Sequence, residues 1–231
     1  MKKQIGLFAA LCAFIAAASA ACAATPEEIA AEVEVGKYVA AQFAREVCFT
    51  ATPADVQRVF EKLIVGLERP LPYNLKVIKD KNPNAFCIPG GTIYITTGMI
   101  KFVRSEDELA AVLSHELVHA NRAHLVAQIE RGQKVTLAAL VAELTVSKKG
   151  AARLLNRVAK ATADSSASYE MEREADTLSL QILQRAGYSV NAPLSLMENI
   201  ASKFASASKK SGTHPVIATR IASLKAAISQ L

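Results

Sequence analysis

Residues 115–119 read His115-Glu116-Leu117-Val118-His119, within a stretch (105–132) patterned as one helix. On a helix, residues four apart stand one turn apart on the same face. Two imidazoles so placed can reach a single metal ion, and the neutral histidine nitrogen is a common zinc ligand. Glu116 is not needed as a ligand. In an HExxH pattern that glutamate acts as general base toward a metal-activated water. Such a site requires a rigid helix with one face in a core and the other on a cleft, and the flanking residues supply it. Ser105 with Glu108 forms a capping box, and Leu109, Leu113 and Leu117 make an i, i+4 row turned away from the histidines. The chain has 4 histidines, and half of them are in the motif. His124, five residues beyond His119, faces away from the pair on a continuous helix and reads as structural.

The first two dozen residues read as a targeting segment. Lys2 and Lys3 form a basic start, residues 6–17 are apolar, and Ala18-Ser19-Ala20 is a small-residue cleavage site. Residues 1–20 are therefore expected to be a signal peptide and the chain to be exported to the periplasm. If Cys22 is lipidated, the segment extends to 21 and the protein is anchored to the envelope, although Ser19 stands where a lipobox usually has Leu. About 210 residues remain, enough for one domain (25–231) with a proper core. The net charge of +6 includes Lys2 and Lys3. Its other cations are dispersed without interleaved aromatics, which argues against nucleic acid. Cys48 and Cys87 survive export and could form a disulfide there, though spacing does not establish that they come within bridging range.

Thr25-Pro26-Glu27-Glu28 starts a helix, with a Thr cap, Pro at the first position and acids in the first turn. A second helix carries Val56, Val59, Phe60 and Leu63 at helical spacing. Residues 73–78 alternate as a strand, and Thr92-Ile93-Tyr94-Ile95-Thr96 follows as another. Pro89 and the Gly90-Gly91 pair suggest an edge or a sharp bend. The expectation is an α+β, mainly helical domain with a small antiparallel sheet beside the HExxH helix. Thr92, Tyr94 and Thr96 would either form an edge able to bind an extended peptide or belong to a plain hairpin packed under the helix.

Zinc catalysis needs three protein ligands and an open position. Downstream, residues 169–176 (Tyr169-Glu170-Met171-Glu172-Arg173-Glu174-Ala175-Asp176) open a helix that stops at Gly187. Glu172 and Asp176 are i, i+4 and share a face. One carboxylate can bind zinc while the other accepts the spare N–H of a ligand histidine. Glu170, Glu172 and Glu174 would equally suit a solvated helix start, and periodicity does not choose among them.

Residues 27–231 resemble metallopeptidase family 48, zinc gluzincins that include HtpX- and BepA-like proteins. The resemblance rests on motifs in the family's order: Asn84-Ala85-Phe86, Pro89-Gly90-Gly91, HELVH at 115–119, Glu172-Arg173-Glu174-Ala175-Asp176, Ala186-Gly187-Tyr188, and Thr213-His214-Pro215 with Arg220. It implies one Zn2+ held by His115, His119 and Glu172, with Glu116 as catalytic base and Asp176 and Arg220 supporting the ligands. Where family members often carry Arg, three residues before the ligand Glu, this chain has Tyr169. The resemblance also puts His214 near the active site, either stabilising the oxyanion or occupying the open zinc position at rest. The implied function is a periplasmic zinc endopeptidase acting on unfolded or misassembled envelope proteins, in association with the membrane or outer-membrane assembly machinery. The alternative is a chaperone-like assembly factor whose latent protease activity is masked by His214.

Overall fold

The computed structural model describes residues 24–133, 139, 141–142, 168–204 and 217–231. The expected signal segment, Cys22, most of the apolar run 135–144 and His214 lie outside them. The chain starts with α1, Pro26–Phe43, which has the expected capping box: the Thr25 hydroxyl accepts from the Glu28 N–H, and the Glu28 carboxylate accepts from the Thr25 N–H. A short strand β1, Phe49–Thr50, leads to α2, Ala54–Ile64, whose buried stripe is Val56, Val59, Phe60 and Leu63. Strands β2, Asn74–Ile78, β3, Ala85–Ile88, and β4, Thr92–Thr96, complete a four-stranded sheet of order β1-β2-β4-β3.

The sheet is mixed, not antiparallel. β2 pairs with β4 in parallel, Asn74 opposite Thr92, while β1 on β2 and β3 on β4 are antiparallel. β4 is therefore an interior strand, and all five of its residues are buried. The reason is that helices cover both faces. Ile93 and Ile95 join the core cluster that includes α2, whereas Tyr94 packs with Val35 and Val39 of α1. The alternation in β4 thus separates two cores rather than core from solvent. Among the described residues, the edge strand beside the metal-motif helix is β3, delivered there by the turn at Gly90 and Gly91, with φ of 83° and 87°. That turn is held by the α1 carboxylate of Glu32, which accepts from the Gly90 N–H at 3.0 Å and pairs with Arg69.

After α3, Thr97–Phe102, comes α4, Glu106–Asn121, capped by Ser105, whose hydroxyl accepts from the Glu108 N–H at 3.1 Å. The single helix expected over 105–132 is two. Arg122 and Ala123 break it, Ala123 adopting φ 54°, and α5 runs His124–Gln133. α6, Ser168–Ala186, ends at Gly187 as expected, with the Tyr188 N–H bonded to the Leu183 carbonyl at 2.9 Å. α7, Ala192–Phe204, and α8, Ile217–Ile228, complete the described elements. α4 lies against β3, α2, α6 and α7. Its buried Leu109, Leu113 and Leu117 make the expected core face.

Candidate metal centre

α4 presents His115 and His119 on the face opposite that leucine row, and α6 brings Glu172 across from them. The two Nε2 atoms are 3.1 Å apart, and the Glu172 oxygens lie 3.4 Å from each. Three donors at about 2.0–2.2 Å from a tetrahedral zinc stand about 3.3 Å from one another, so the triangle fits such an ion. Two imidazoles and a carboxylate are also a donor set that zinc accepts. Among the described residues, these three form the group able to hold a metal.

Each of these three side chains is held from behind. The Nδ1 of His115 is 3.2 Å from the Asp176 carboxylate. Arg220 of α8 donates to Asp176 through Nε at 2.9 Å and Nη2 at 2.6 Å, and its Nη1 is 2.9 Å from Glu172. Behind His119 stands His124, the two Nδ1 atoms 3.0 Å apart. The His124 Nε2 is 3.3 Å from Glu174, which accepts from Arg122 Nε at 2.6 Å.

The electrostatics favour a cation at the triangle. Burial works against a charged His115, but Asp176 and Glu172 outweigh it and raise its pKa to about 9. Burial likewise pushes the Glu172 carboxyl up, yet the His115 and His119 nitrogens and the Arg220 charge hold it far below the usual carboxylate range. The carboxylates that would favour a proton on His115 favour a metal ion in its place. Glu116 behaves oppositely: burial raises its pKa, and the charges of His119 and His115 only partly offset this. A raised carboxyl is suited to take up a proton and return it. His124 is pushed down to about 4, first by burial and then by His119.

Glu116, His115, His119 and Glu172 line a cavity of about 480 Å³ together with residues 84–87 and the apolar Met99, Val112, Leu196, Met197 and Ile200. The structure thus brings His115, Glu116, His119, Glu172, Asp176 and Arg220 together, as expected. It does not bring Thr92, Tyr94 or Thr96 to an open edge. The Thr96 hydroxyl donates to the Asn82 carbonyl and accepts from the Met99 N–H, and Tyr94 is fully buried. The Cys48–Cys87 disulfide is not formed, and both thiols are free. Cys48 precedes β1 at one edge of the sheet and Cys87 lies in β3 at the other. Three strand spacings of about 4.8 Å separate those edges, beyond disulfide reach. His124, Glu174 and β3 were missed. The signal for His124 was the helix break, which Arg122-Ala123 does not announce by Gly or Pro.

An HExxH helix completed by a glutamate from a later helix defines a metallopeptidase centre. The model of peptidase family M48 matches residues 50–228, and the chain belongs to that family, whose metalloproteases depend on a metal ion. It is similar to mitochondrial metalloendopeptidase OMA1 of Schizosaccharomyces pombe, 30% identical over 174 residues, 74% of this chain and 51% of that protein. Similarity to the beta-barrel assembly-enhancing protease of Yersinia pestis is 26% over 171 residues, and to that of Escherichia coli K12 25% over 172, each covering 69% of this chain and 35% of the relative. The chain spans roughly a third to a half of the length of these relatives.

Proposed function

We propose that this chain is a zinc-dependent endopeptidase, exported by residues 1–20, that cleaves extended segments of unfolded or misassembled envelope proteins. The observation that carries the reading is the triangle of His115, His119 and Glu172, with Glu116 beside it, on a cavity lined by β3 residues and by apolar side chains. A zinc ion held by those three side chains supplies Lewis-acid polarisation of a carbonyl and acidification of water. Glu116 takes the proton of the attacking water on its carboxylate and returns it to the leaving amine. Asp176, carrying Arg220, keeps the His115 ring oriented, and Arg220 also fixes Glu172.

The substrate backbone runs along β3. The Thr96 N–H bonds the Asn84 carbonyl, so bonded pairs recur at Phe86–Tyr94 and Ile88–Thr92. Ala85 and Cys87 then direct their backbone groups outward, in the position with which an added strand pairs. A compact protein does not offer such a strand, whereas an unfolded chain does. The names of the bacterial relatives point to β-barrel assembly as the setting, and among the described residues no helix is long and apolar enough to cross a membrane. The test is casein cleavage and zinc content of the purified chain beside Glu116→Gln. The variant is expected to keep one zinc per chain and lose cleavage by orders of magnitude; cleavage at the wild-type rate contradicts the mechanism.

A further inference from the structure

We propose that His124 is a positioning residue of the metal centre, holding the His119 ring through Nδ1 in the tautomer that leaves Nε2 bare for the metal. The inference rests on the metal-centre reading and assigns a role to side chains that reading does not use.

A His119 Nε2 left bare for a metal fixes the remaining protons in one way. For Nε2 of His119 to face a metal with a lone pair, its ring proton must sit on Nδ1, which is 3.0 Å from the Nδ1 of His124. That His124 nitrogen must then accept, so its own proton sits on Nε2, where the Glu174 carboxylate is 3.3 Å away. Glu174 is in turn fixed by Arg122 Nε at 2.6 Å. Every donor meets an acceptor. With the protons reversed, the proton on His119 Nε2, 3.1 Å from the His115 Nε2, would stand where the metal must bind, and the bare His124 Nε2 would oppose a carboxylate, lone pair against lone pair. His119 thus receives through an intermediate imidazole the orientation that His115 receives from Asp176 directly.

The backbone is arranged for this contact. On an unbroken helix His124 would lie about 140° round from His119. Ala123 at φ 54°, a conformation costly for a residue with a Cβ, turns His124 back under His119, where it is 5% exposed.

Zinc affinity of the full chain, measured by competition with a chromophoric chelator, tests the role in three variants. His124→Phe keeps ring volume and removes the acceptor, and should weaken zinc binding about 10–100-fold. His124→Asn places an acceptor oxygen near the lost Nδ1 and should recover part of that loss. Glu174→Ala frees His124 and should weaken zinc binding by about tenfold. With cobalt in place of zinc, the His124→Phe protein should also show an altered visible spectrum. A His124→Phe protein that binds zinc within about twofold of the wild type overturns the proposal. If that variant does not fold, unchanged affinity in Glu174→Ala, whose side chain is 37% exposed, overturns it instead. A wild-type chain that takes up no zinc overturns the metal reading itself, and with it this role for His124.

Discussion

At the level of single residues, three carboxylates face one guanidinium and two imidazoles. Asp176, Glu172 and Glu116 converge on two imidazoles and Arg220, and the metal-free His115 is left with its pKa raised to about 9. A group whose pKa rises on folding contributes stability that is present below its ordinary value near 6.5 and lost as pH climbs through about 9. Zinc must displace that proton. Zinc affinity is therefore expected to rise with pH, by about tenfold per unit, until it levels near the pKa of His115. Titrations with zinc from pH 6 to 10 would check this; a flat profile below pH 8 would show that His115 binds the metal without releasing a proton.

At the scale of elements, the metal helix was legible and its surroundings were only partly so. Ser105, the Leu109-Leu113-Leu117 row and the HExxH spacing each act within a few turns of helix, so local pattern suffices to read them. Glu172 and Asp176 were placed on one face by their spacing, but choosing the ligand needed the family motif, since three acids open the same helix. The sheet was misread because strand alternation reports that two faces differ, not that one of them is wet. In β4 both faces are cores, and the partner strand is set by a parallel pairing that no hairpin pattern reveals. The same locality hid His124, because one alanine in a left-handed conformation redirects it. The corrected edge makes its own prediction. Proline is tolerated where a strand N–H faces outward, so Cys87→Pro should leave zinc affinity and the β3–β4 ladder intact. It should lower kcat/KM for extended peptides about 2- to 12-fold, the effect of one hydrogen bond. Unchanged peptide kinetics in a folded variant would move the substrate off β3.

At the scale of the whole molecule, α1 lies before the segment that matches the family, yet it helps shape the cleft. Its Glu32 is buried, binds the Gly90 N–H, and pairs with Arg69, which in turn donates to the Ala120 carbonyl near the end of α4. Gly36 packs so closely on the Pro89 carbonyl that a Cβ would not fit. The helix therefore clamps the turn that sets β3 at the mouth of the site. Glu32→Ala strands a largely buried guanidinium and an amide, which should cost about 3–5 kcal/mol, read as a lower urea midpoint. A loss below about 1 kcal/mol would make the clamp incidental.

On the proposed function, His115, His119 and Glu172 hold one zinc ion with a position open for substrate. X-ray absorption at the zinc edge of the loaded protein tests it most directly. Two histidine nitrogens are expected at about 2.0–2.1 Å and oxygen at about 2.0–2.2 Å, with no sulfur. A sulfur shell at about 2.3 Å, or a spectrum lacking the imidazole pattern, would contradict it.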